Sequence, residues 1–265
     1  MKILITGAHG FVGNRLMQDL DDTVAALSMR GMSEEQIRNM IEKSRADVII
    51  HTAAISDVGT CEKDPGASYE ANVRLPLFLA KAAKEQKLIC FSSDQVYRGC
   101  AGEGSYKEED ASPCNVYGRH KLEMEQRVLD VKPDAVMLRA EWMYDYPAER
   151  SNYLRMLLNE KQVLAFGKQY RGITYLREVA ENMPKIFMLP GGVYNFGSET
   201  KQTMYDITCE MLHFLKSDRK PEEVPPAHNL WMDCTKAKER GILFSDAKEG
   251  LKRCLKDYHL TKDRE

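Results

Sequence analysis

The sequence predicts an α/β fold: a doubly wound parallel sheet with helices on both faces, plus a small C-terminal lobe. Three observations carry this. Short apolar runs alternate with helical patterns through the first half. A glycine turn joins the first run to the first helix. After about residue 145 the alternation gives way to shorter, less regular elements. The boundaries expected are a main domain over 1–145 and a mainly C-terminal lobe over 146–265, with 160–195 partly returning to the main sheet.

Lys2–Thr6 reads as a buried strand, Asn14–Leu20 as a helix and Thr23–Leu27 as a second strand. Ser33-Glu-Glu-Gln36 has capping-box spacing and opens a helix to about Ser44. Asp47–Thr52 is a strand, and Pro65 suits the first turn of a long helix running towards Gln86. Leu88–Ser92 is a strand, Val116–Leu129 a helix and Ala135–Arg139 a strand. Between Arg30 and Asp47 there is room for a helix but hardly for a strand, so the third strand of a full sheet is expected to be shortened or missing. In the second half, 152–158, 178–187, 204–215 and 247–257 look helical, and Val193–Phe196 looks like a strand. Lys220-Pro-Glu-Glu-Val-Pro-Pro226 reads as a charged, proline-broken loop.

A chain of 265 residues fits one large domain with a smaller lobe. A net charge of −2 provides no basic surface for nucleic acid, and no apolar run approaches the length of a membrane span. Neither is an expected partner. Met1–Gly7 is too short an apolar run for a signal peptide. The seven cysteines are scattered, with no Cys-x-x-Cys pair or neighbouring histidine cluster, so the expectation is reduced thiols in a cytoplasm and no metal.

Gly7-Ala-His-Gly10-Phe-Val-Gly13 follows the first strand and opens the first helix, which is the context a dinucleotide-binding turn requires. Gly7 permits the turn, Gly10 lets backbone approach a pyrophosphate, and Gly13 allows helix–strand packing. Phe11 and Val12 start the helix whose N-terminus would face the phosphates. The fold expected is therefore Rossmann-type. The stretch Leu27-Ser-Met-Arg30 after the second strand carries no acid for a ribose 2′-hydroxyl, whereas Arg30 could pair with a 2′-phosphate. This favours NADPH as cofactor and leaves NADH open.

Tyr117 and Lys121 are four residues apart on an expected helix, hence on one face. An ammonium beside a phenol favours the phenolate, which suits a general acid or base. Ser93 and Asp94 follow a strand whose C-terminus should open into the ligand crevice. Glycine turn, serine after a strand, then Tyr-x-x-x-Lys, in this order, resemble the extended short-chain dehydrogenase/reductase superfamily.

Within that superfamily the chain resembles the dTDP-4-dehydrorhamnose reductases from residue 2 to about 257. The resemblance is carried by His51-Thr-Ala-Ala54, Glu70-Ala-Asn-Val73, Phe91-Ser-Ser-Asp-Gln-Val-Tyr97, Asn115-Val-Tyr-Gly-Arg-His-Lys-Leu-Glu123, Leu138-Arg-Ala-Glu-Trp-Met-Tyr144 and Gly167–Tyr175. Departures include Arg98 for an acid, Ile173 for a proline, and Pro225-Pro-Ala-His-Asn-Leu230 for the family's Arg-Pro and Asn-Ser pattern. The resemblance implies that NADPH reduces a 4-keto sugar nucleotide. Tyr117 would give the proton, Lys121 would hold the phenol and the nicotinamide ribose, and Ser93 would bond the carbonyl oxygen. Asp94 and Trp142 would line the substrate, Ala53 and Ala54 the cofactor, and Asn72 would brace backbone. A homodimer stays open. Two other readings stay open as well: a nucleotide-sugar epimerase, and a non-catalytic NAD(P)-binding regulatory subunit of the methionine adenosyltransferase type. Dehydration is disfavoured because Gln95, an amide, stands where a dehydratase has a base.

Overall fold

The computed structural model describes residues 1–147, 152–159, 165–225 and 228–260. Residues 160–164 of the segment expected to rejoin the sheet, and Pro226 and Ala227 of the proline-broken loop, lie outside these.

The strands in chain order are β1 (Ile3–Thr6), β2 (Thr23–Ala25), β3 (Val48–His51), β4 (Lys87–Ser93), β5 (Val136–Ala140), β6 (Trp142–Tyr144), β7 (Ala165–Phe166), β8 (Ile173–Tyr175), β9 (Gly192–Phe196) and β10 (Glu222–Glu223). The helices are α1 (Phe11–Asp19), α2 (Glu34–Ser44), α3 (Val58–Lys63), α4 (Pro65–Tyr69), α5 (Leu75–Ala82), α6 (Val116–Val131), α7 (Tyr153–Leu158), α8 (Leu176–Ile186), α9 (Met204–Phe214), α10 (Thr235–Lys238) and α11 (Ala247–Asp257). A π-helical segment, Glu70–Arg74, joins α4 to α5.

Six parallel strands form the main sheet in the order β2-β1-β3-β4-β5-β9. Ile-Leu-Ile in β1 and Val-Ile-Ile in β3 are buried on both sides, as a sheet covered on two faces demands. One face packs Leu16, Val179 and Met183 from α1 and α8, and the other packs Ile37, Ile41, Leu79 and Met124 from α2, α5 and α6. The sheet ends at β2, and α2 alone occupies the span to β3. The third strand is missing, as the short Arg30–Asp47 span requires. Ser33 and Gln36 form the reciprocal cap that starts α2.

The C-terminal elements pack a separate core from Tyr144, Leu154, Tyr175, Ile207, Met211, Leu251 and Leu255. Two expectations are corrected. The helix from Pro65 stops at Ala82, where Ala83 leaves helical backbone, and is interrupted by the π segment that carries Asn72, bonded to the Ile55 backbone. The loop after Lys220 contains β10, which pairs in parallel with β7, and β6 pairs with β8 in a second two-stranded sheet. These strands are two or three residues long, too short for a period-2 pattern to register.

Candidate active site

The glycine turn, the end of β4, the start of α6 and the β6–β8 region surround one cleft of about 670 Å³. Gly7 has φ +71°, and a Cβ there would lie 2.7 Å from the Ala53 amide nitrogen, so only glycine allows β1 to turn beside β3. Gly10 caps α1 without a side chain. The first N–H groups of α1 are thereby open to an anion. Gly7, Gly10, Phe11, Val12, Ala53 and Ala54 all line the cleft. Gly13 does not line it, because it packs where any Cβ would overlap the Gly7 carbonyl.

The opposite wall begins at β4. Alternation along the strand sends Ser92 and Ser93 to opposite sides. Ser92 donates to Glu125 Oε1 (2.5 Å) in α6, and Glu125 pairs with Arg139 at 2.7 Å, both fully buried. Ser93 lines the cleft, donating to Asp94 Oδ1 (3.1 Å) and accepting from the Gln95 amide (3.2 Å).

Asn115 anchors α6 against this turn. Its Oδ1 accepts from the Gly118 amide at 2.6 Å, and its Nδ2 donates to Gln95 Oε1 at 3.0 Å. A Cβ at Gly118 would overlap the Gln95 carbonyl, so the Asn-Val-Tyr-Gly sequence is what lets the helix approach the serine turn. Tyr117 is buried and lines the cleft, as does Lys121. Lys121 Nζ lies 5.8 Å from the Tyr117 ring centre and donates to the Phe91 carbonyl at 2.7 Å. Its burial pulls its pKa down to about 8, against the pull of Cys90 and Glu125 in the other direction. His51 under the site is driven to about 3 by burial and then by the Lys121 charge, so it stays neutral, with Nδ1 2.7 Å from Thr6 Oγ1.

Asp94 and Trp142 also line the cleft. The Asp94 Oδ2 is held by Arg171 Nη2 (2.9 Å) and Nε (3.1 Å), and the same guanidinium lies 5.4 Å above the Trp142 ring. Arg171 and Arg98 are lining residues that sequence reasoning did not select. Glu141, also lining, is pushed up to about 8, mainly by burial. An acid inside the Leu138–Tyr144 run was the available signal for it. Asn72 braces backbone: its Oδ1 accepts from the Ile55 amide (3.1 Å) and its Nδ2 donates to the Ile55 carbonyl (2.9 Å). Arg30 is exposed, beyond the cleft lining, where the chain turns at Gly31 five residues after the end of β2.

The chain is similar to known proteins over nearly its whole length. The dTDP-4-dehydrorhamnose reductase of Aggregatibacter actinomycetemcomitans is 28% identical over 243 residues, covering 84% of this chain and 82% of that one. Methionine adenosyltransferase 2 subunit beta of Danio rerio is 27% identical over 234 residues, covering 78% and 72%. The fold matches that of the Bacillus anthracis str. Ames dTDP-4-dehydrorhamnose reductase in complex with NADP, with a TM-score of 0.85 and 22% identity, over 97% of this chain and 99% of that one. The RmlD substrate binding domain model matches residues 1–260, and the chain belongs to that family.

Proposed function

We propose that this protein is an NADPH-dependent reductase of a 4-keto sugar nucleotide, of the dTDP-4-dehydrorhamnose type. One observation carries the reading: Ser93, Tyr117 and Lys121 converge on the same cleft as the Gly7–Val12 turn. The cleft fits the cofactor on its own geometry. The Gly7 and Gly10 backbone is bare of side chains, α1 is uncapped, and Ala53 and Ala54 leave room opposite. Its relatives' names and the NADP in the Bacillus anthracis structure support the choice of cofactor and substrate class. In this reading Arg30, exposed after β2, would pair with the cofactor's 2′-phosphate.

When bound, NADPH supplies the hydride. Ser93 Oγ, now donating to Asp94, is placed to turn to the ketone oxygen, where a hydrogen bond strengthens as negative charge develops. Tyr117 gives the proton to that oxygen. Lys121, cationic and buried at neutral pH, favours the tyrosinate left behind and would hold the ribose. Asp94 and Trp142 would contact the sugar. In this reading residues 1–145 hold the cofactor and 146–265 mainly the substrate. A cytoplasmic location and a homodimer are the setting it expects. Among the described residues no helix is long and apolar enough to cross a membrane.

Tyr117→Phe tests the assignment. Ketone reduction should be abolished while NADPH affinity stays within about threefold, because only the proton donor is removed. Retention of more than about a tenth of the activity would remove Tyr117 from the proton-donor role.

A further inference from the structure

The cleft contains an acid that the reduction does not use. Glu141 stands between β5 and β6, lines the cleft beside Trp142 and is only 6% exposed. Its Oε1 accepts from Thr174 Oγ1 (2.5 Å) and from the Ser198 amide (2.6 Å). Among the described residues no hydrogen bond reaches Oε2. The surrounding backbone is shaped to the carboxyl: a Cβ on Gly172 would overlap Oε2, and one on Gly197 would overlap the carboxyl carbon.

Burying a carboxyl is costly, and an apolar residue or an amide could fill the same space without that cost. The charged and titratable groups facing it are Asp94 from the turn after β4, Arg171 from the segment before β8, and Cys234 at the start of α10. Burial pushes the carboxyl's pKa up and Asp94 adds to this, against the hydrogen bonds from Thr174 and Ser198 and the Arg171 charge. A protonated carboxyl has one donor and retains acceptor capacity. With two donors already on Oε1, Oε2 is the oxygen left for a ligand hydroxyl.

We propose that Glu141 is a specificity-determining residue whose remaining carboxyl oxygen hydrogen-bonds a ring hydroxyl of the hexose held at Ser93 and Tyr117. This rests on the reductase reading above. A site built to bond a hydroxyl rejects the analogue that lacks it, since its own polar group is left unpaired.

The test is calorimetric titration of the NADP-saturated protein with dTDP-rhamnose and its 2-deoxy and 3-deoxy analogues, beside steady-state kinetics on the 4-keto substrate. The wild type should bind one deoxy analogue at least about tenfold more weakly than the parent sugar. Glu141→Gln, which keeps a hydrogen-bonding group in the same space, should keep that discrimination within about threefold. Glu141→Ala should bring the parent sugar down to the affinity of the analogue and raise KM by more than it lowers kcat. Equal binding of all three sugars by the wild type would overturn the proposal, even if Glu141→Ala failed to fold. So would full discrimination by Glu141→Ala. Discrimination without NADPH oxidation would keep this inference and sink the reductase reading. Turnover without discrimination would do the reverse.

Discussion

Ser92 and Ser93 are adjacent and chemically identical, yet strand geometry gives them separate tasks. Ser92 is tied into the Glu125–Arg139 pair below the sheet, and Ser93 opens onto the cleft. Ser93→Ala should lower kcat by about 10- to 100-fold, through loss of a hydrogen bond that strengthens in the transition state, with little change in stability. Ser92→Ala should cost about 2 kcal/mol, because it strips a buried charged acceptor of its donor, while kcat/KM stays within about threefold. Steady-state kinetics and urea unfolding on both variants check the contrast, and the reverse pattern would contradict it. Motif order alone made Ser93 legible, since its place relative to the strand end and to Tyr117 is written in the chain. Arg171 was not legible. It reaches Asp94 from 77 residues away in a segment with no periodic pattern. Arg30, placed after β2 by the same kind of local signal, stands exposed beside the turn at Gly31.

Among the elements, those with strong local signals were legible. Apolar runs fixed β1, β3, β4 and β5, the Ser33 capping box fixed the start of α2, and the short Arg30–Asp47 span excluded a strand. The β6–β8 and β7–β10 pairs escaped because two or three residues cannot display alternation and their pairing depends on chain far away. The π segment, which carries Asn72, escaped too. That residue bonds both backbone groups of Ile55, and Ser56, Asp57 and Val58 just beyond it line the cleft. Asn72→Ala should therefore destabilise the protein by about 1–3 kcal/mol, leaving the Ile55 groups unpaired. It should also weaken NADPH binding by about three- to tenfold, since one wall of the cleft loosens. Fluorescence titration with NADPH beside urea unfolding measures both. Lost stability with unchanged cofactor affinity would separate the brace from the cleft.

At the scale of the whole molecule, the parallel sheet brings the C-terminal ends of β1, β3 and β4 to one edge, and α6 closes over them through Asn115 and Gly118. The second core of Tyr144, Tyr175 and Leu251 positions Trp142 and Arg171 across the opening. The glycine turn, Tyr117, Trp142 and Arg171 thus share one cleft, and the proposed reduction requires hydride to cross it. The most direct test is a turnover with NADPH deuterated at nicotinamide C4 on its transferable face and dTDP-4-dehydrorhamnose as substrate. One deuterium should appear at C4 of the product sugar for each NADPH oxidised, and none with Tyr117→Phe. Tight NADPH binding with all the deuterium retained on the cofactor would contradict it.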